Sequence, residues 1–151
     1  PATQEGKKTF GCFIDGKPWV AGIAPYVLDP TLHKLSSYYD QPGICGNYNN
    51  PLGITATRVD SFSYDYIQIL ARPVFQKGVL RQEDGIFINF FASLSKSYDF
   101  DTSFAYNLEL TKFDTFNFIC SGVFEFRGIS QNKQDTILIT DGRFDVRYSP
   151  E

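Results

Sequence analysis

Apolar and polar side chains alternate with a period of two along most of this chain, the spacing of a strand that buries one face. Phe104, Tyr106, Leu108 and Leu110 alternate with Ala105, Asn107, Glu109 and Thr111, which predicts a strand from Phe104 onward. Phe118, Cys120, Gly122, Phe124 and Phe126 share one face of the next run. Phe144, Val146 and Tyr148 alternate with Arg143, Asp145 and Arg147. Weaker alternation covers 9–14, 54–59, 66–71, 86–91 and 136–140, with brief strands at 18–21 and 35–39. Turn residues punctuate these runs. Asp15-Gly16 predicts a tight hairpin, Asp84-Gly85 opens the Ile86 strand, Asp141-Gly142 separates the last two strands, and 128–135 reads as a solvated hairpin loop. No long amphipathic helix appears. About nine or ten short strands predict an all-β fold, an antiparallel β-sandwich or flattened barrel.

Residues 22–50 break the pattern. They hold four of the nine tyrosines (Tyr26, Tyr38, Tyr39, Tyr48), none of the fifteen phenylalanines and three of the eight prolines. A structureless loop of that length is uncommon in a compact domain, so local structure is expected there. Asp29-Pro30 is placed to cap a single helical turn, with Asp at the N-cap and Pro at the first helical position. Tyrosine joins an apolar ring to a hydrogen-bonding tip, a combination suited to sugars and protein partners on loops held by a rigid scaffold. Tyr38, Tyr39, Asn47 and Tyr48 are therefore the candidate ligand-binding residues, with Asn49 and Asn50 beside them. The competing reading is that these rings cover the edge of the core. Trp19, just after the first hairpin, reads as a core anchor.

Composition narrows the picture further. The 151 residues suit one domain, and with 42% hydrophobic residues intrinsic disorder is excluded. A single β domain is expected over 9–149, preceded by a flexible tether over the small, polar and charged residues 1–8. The 14 basic and 17 acidic residues nearly balance, which argues against a nucleic-acid partner. No apolar run approaches the ~18 residues of a membrane helix. The chain opens at Pro1 and holds no Met, as a trimmed segment of a longer precursor or a recombinant domain would. Cys12, Cys45 and Cys120 are spaced for no zinc motif. Cys12 and Cys120 sit in strand-like runs and read as buried thiols, with a bridge between them as the alternative. Cys45, among glycines, reads as exposed.

Nucleophilic hydrolysis normally needs a histidine base, and His33, the one candidate, lies in a polar segment that suits solvent. Two carboxylates would suffice for glycoside hydrolysis. Asp99 and Asp101 would share a strand face, with Asp65, Glu83, Asp84 and Glu109 as further options, but ordinary surface charge is the favoured reading of all of them. Asp99-x-Asp101 also resembles part of a calcium site, without the glycine and glutamate of a helix-loop-helix loop. Lys112 with Asp114 suits a structural ion pair, and Arg143, Asp145 and Arg147 a solvated strand face. The residues imply no metal and no cofactor.

Three blocks carry a resemblance. Thr9-Phe10-Gly11-Cys12 with Asp15-Gly16-Lys17 and Trp19 resembles the opening of a family of uncharacterised lipoprotein domains from Bacteroidota. Leu110–Asp114 with Ser121–Phe126, and the closing Ile139–Tyr148, are similar to that family's later blocks. The resemblance implies a secreted precursor held in the cell envelope by an acylated cysteine upstream of Pro1, with membrane contact only through that anchor. It implies no activity and no catalytic residues, and Cys120 stands where members tend to carry an aliphatic residue. The expectation is a non-enzymatic binding or structural module for an extracellular glycan or envelope protein. A small glycan-acting hydrolase using two carboxylates is the alternative.

Overall fold

A computed structural model describes residues 4–25, 27, 29–39, 52–71, 77–81, 85–92 and 96–150, with backbone only at Tyr38 and Pro150. Among these residues the structure is all strand. The strands are β1 (Thr9–Ile14), β2 (Lys17–Val20), β3 (Gly22–Ile23), β4 (Leu35–Tyr39), β5 (Leu52–Val59), β6 (Tyr64–Ala71) and β7 (Gly78–Val79). They continue with β8 (Phe87–Ala92), β9 (Lys96–Phe100), β10 (Asn107–Asp114), β11 (Ile119–Ser130), β12 (Thr136–Arg147) and β13 (Ser149–Pro150). All thirteen belong to one sheet, whose main path runs β13-β4-β5-β6-β8-β9-β11-β12-β1-β2. Two links bend that path back on itself. β13 continues β12 past Tyr148 and pairs with β4, and β3 follows β2 after Ala21 and pairs with β5. The result is a flattened, nearly closed barrel, which leaves few free strand edges. The strand count exceeds nine or ten because long runs share edges with short ones: β11 pairs with β10 along Ile119–Glu125 and with β9 along Gly128–Ser130.

The alternation read from the sequence becomes the barrel wall. Phe10, Trp19, Phe124, Phe126 and Phe144 point inward and are buried. Phe10 packs its ring 5.0 Å from Phe124, 6.1 Å from Trp19 and 6.3 Å from Phe144. Each such side chain contributes roughly 1.5–3 kcal/mol of transfer free energy when fully buried. Arg58 sits over the Trp19 ring at 5.6 Å and pairs across the β5–β6 ladder with the buried Asp65. Cys12 and Cys120 are buried free thiols, as the strand reading favoured. Cys45 lies outside the described residues.

Four local expectations need correcting. Asp141-Gly142 does not separate two strands but sits inside the 12-residue β12. Asp141 takes a left-handed conformation (φ 50°) where the ladder to β11 slips between Phe124 and Phe126. An Asp-Gly pair supplies that conformation as readily to a bulge as to a turn. The strand expected from Phe104 starts at Asn107, because 101–106 fold into a turn that lays the Phe104 ring 4.3 Å from the Arg127 guanidinium. Asp29 does cap a turn, accepting hydrogen bonds from the Thr31 amide and hydroxyl, but the turn ends at Leu32 without becoming helical.

The fourth concerns the tether. Residues 4–8 are pinned to the outside of the barrel. The buried carboxylate of Asp145 accepts hydrogen bonds from the amides of Glu5 (3.1 Å), Gly6 (2.8 Å) and Lys7 (3.1 Å), and from the Ser121 hydroxyl (2.8 Å). Gly6 (φ 71°) and Lys8 (φ 56°) supply the left-handed turns that aim successive amides at one anion. Polarity along 1–8 hid this, because the contacts use backbone rather than side chains.

Candidate functional site

Of the residues expected to bind a ligand, Tyr39 is a core residue. It is 3% exposed, with its ring 5.0 Å from Phe113 and 5.6 Å from Tyr148. Its position on β4 opposite the buried Leu52 makes it an interior anchor and not a binding platform. Tyr38 lies on β4 beside Gly53, and its side chain is outside the described set; Asn47, Tyr48, Asn49 and Asn50 lie outside the described residues altogether. The tyrosine-rich segment therefore brings no ligand-binding cluster together among the described residues.

A different face gathers aromatic and polar side chains. On β6, Ile67, Ile69 and Ala71 enter the core, so Tyr64, Tyr66, Gln68 and Leu70 face outward. On β8, Ile88 and Phe90 enter the core, leaving Phe87, Asn89 and Phe91 outside. Register then aligns three rows across the strands. Thr55, Gln68, Asn89 and Asp99 form a polar row over β5, β6, β8 and β9. Tyr66 and Phe91 flank it on one side, and Leu70 and Phe87 on the other. Residues two apart on a strand lie about 6.5–7 Å apart, so amide and carboxylate groups line a shallow track between two apolar ridges.

Rings pack against one another within the first ridge. The Tyr66 and Phe91 rings stack at 5.2 Å with 13° between planes, and Tyr64 meets Tyr66 edge-on at 6.2 Å. Tyr64 is 42% exposed and Phe87 45%, so apolar surface at both sides of the track is open to solvent. The side-chain oxygen of Asn89 is buried with no hydrogen-bond partner among the described residues. Such an acceptor costs about 1–3 kcal/mol until a donor reaches it. Sequence pattern did not single out this face, because aromatics occupy both sides of β8 and alternation alone cannot tell which side meets water.

The carboxylates considered for catalysis are placed differently. Asp99 is exposed at the end of the polar row. Asp101 is buried, one oxygen taken by the Ser103 amide and hydroxyl and the other by Arg127 at 2.8 Å and 2.6 Å. The Ser103 hydroxyl first, and the Arg127 guanidinium next, hold its carboxyl below the usual carboxylate range. Asp29, Asp60 and Asp114 are also held low, chiefly by hydrogen bonds from Thr31, Phe62 and Asn117. A glycosidase acid needs the opposite shift. Asp65 is committed to Arg58. Lys112 donates to the Gln4 carbonyl far back in the chain, and Asp114 caps the β10–β11 turn, in place of the direct ion pair expected between them. His33 is exposed. Among the described residues no three metal-capable side chains come together, and the donors around Asp101 already fill its oxygens.

No family model matches this chain, and no curated protein or solved structure matches it either.

Proposed function

We propose that this domain is a non-enzymatic binding module that holds a glycan chain along the outer face of β5, β6, β8 and β9. The carrying observation is the polar row of Gln68, Asn89 and Asp99 set between the Tyr66–Phe91 and Leu70–Phe87 ridges. Sugars present apolar C–H faces and rings of hydroxyls, and this surface offers a matching alternation of apolar rings and hydrogen-bonding groups. Asp101 is committed to Ser103 and Arg127 and Asp65 to Arg58, which favours binding over hydrolysis.

A glycan array probed with wild type, Tyr66→Ala and Gln68→Ala tests the reading. Wild type should bind a subset of glycans, and each variant should lose at least tenfold in affinity for them. Binding by neither wild type nor variants, or equal binding by all three, would overturn it. The envelope location rests on the resemblance of the Thr9–Trp19, Leu110–Phe126 and Ile139–Tyr148 blocks. Labelling of the natural precursor with a tagged fatty acid tests it, and an unlabelled precursor would rule out the lipid anchor.

A further inference from the structure

A second face of the barrel carries a groove that the glycan reading does not use. It lies open over the outer surface of β2, β1, β12 and β11, with a volume of about 910 Å³. Register sets its floor: Val20, Gly11, Arg143 and Val123 follow one another across the four strands. Gly11, having no side chain, leaves a dip between Val20 and Arg143 that a Cβ would fill in ordinary contact with the Trp19 carbonyl (3.4 Å) and the Val20 methyl (3.6 Å). Phe13 lies two residues along β1 and is 40% exposed, and Val20 is 64% exposed. One wall is the 4–8 segment, fixed by the Asp145 hydrogen bonds, and it brings Lys7 and Lys8 to the rim.

Charge distinguishes this groove from the rest of the molecule. The chain is acidic, with a formal net charge of −3, yet Lys7, Lys8, Lys34 and Arg143 converge here. Lys7 pairs with Glu5, whereas Lys8, Lys34 and Arg143 make no ion pair among the described residues. Of the two lining carboxylates, Asp145 is buried and engaged by three backbone amides and the Ser121 hydroxyl, which leaves only Asp141 exposed on the rim. Exposed apolar side chains at Phe13 and Val20, on one side of the unpaired Arg143 in the same floor, fit a ligand with an apolar body and one anionic head.

We infer that this groove binds a medium-chain fatty acid anion, with the acyl chain on Phe13 and Val20 and the carboxylate paired with Arg143, Lys8 and Lys34. The inference is independent of glycan binding. Isothermal titration calorimetry with dodecanoate below its micelle concentration tests it, with dodecanol as the uncharged chain and acetate as the chainless head. Dodecanoate should saturate at one per chain, dodecanol should bind at least tenfold more weakly, and acetate should not bind. Arg143→Gln and Val20→Asp change exposed groups, and circular dichroism melts verify that both variants fold. Each should weaken dodecanoate at least tenfold, while Tyr66→Ala should bind it like wild type. Absent saturation, equal binding of dodecanol, wild-type affinity in either groove variant, or loss in Tyr66→Ala would each overturn the assignment.

Discussion

Two glycines on neighbouring strands show how single residues set the packing of this barrel. Gly122 on β11 faces Phe144 on β12, and Gly142 on β12 faces Phe124 on β11. The rings lie over the glycines reciprocally. A Cβ on Gly122 would stand 2.5 Å from the Phe144 ring and 2.5 Å from the Glu109 carbonyl, and one on Gly142 would stand 2.4 Å from the Phe124 ring. Backbone cannot yield as a side-chain tip can, so Gly122→Ala should cost at the upper end of the ~1–3 kcal/mol typical of overpacking. Urea unfolding measures this, and a change below the ~0.5 kcal/mol of a neutral surface substitution would contradict it. The sequence placed Gly122 on the inner face by alternation, but nothing in it says that a ring occupies the space a side chain would need.

Elements here are held by contacts that strand patterns do not contain. The β1–β2 hairpin turns on Asp15 (φ 48°) and Gly16 (φ 76°), the left-handed pair a two-residue hairpin requires. That much was legible. The Asp15 carboxylate also accepts the Leu138 amide at 2.8 Å, tying the hairpin tip to β12. The 4–8 segment depends on one side chain in the same way. Asp145→Asn removes the charge and one of two acceptor oxygens, leaving amides of Glu5, Gly6 and Lys7 in competition. Hydrogen exchange at these three amides should accelerate at least tenfold, with roughly 1–3 kcal/mol lost in stability. Unchanged exchange would show that the segment is held by something other than Asp145.

The molecule as a whole should respond to acid and to thiol reagents in ways its burial pattern sets. Asp101 is held below the usual carboxylate range by Ser103 and Arg127, so its folded pKa lies below the unfolded value of about 3.9. Its contribution is then fully present above that value and is lost as pH falls through the folded pKa. Thermal midpoints should drop below about pH 4, and Asp101→Asn, already less stable at neutral pH, should drop less steeply. An equal acid slope in both proteins would remove Asp101 from the explanation. Burial pushes the Cys12 thiol up to about 12 and raises Cys120 as well. In a Cys45→Ser background, neither should react with Ellman's reagent at pH 8 until the barrel unfolds, because the thiolate is the reactive form. Rapid labelling of the folded protein would mean that a thiol is reachable.

Local chemistry was enough for the all-β class, the Trp19 anchor, the Asp15-Gly16 hairpin and the buried thiols, because each follows from alternation or from a backbone angle that few residues accept. Tertiary structure decided the rest. Tyr39 is interior because β4 lies between β5 and β13, where its ring meets Phe113 and Tyr148. The outward face of β8 became identifiable only when Ile88 and Phe90 met the core, since Phe87 and Phe91 are as apolar as their neighbours. The groove likewise joins Lys8, Lys34 and Arg143, far apart in the chain, through the closure of the sheet. Period-two spacing fixes which residues share a face, while only long-range pairing fixes which face meets water.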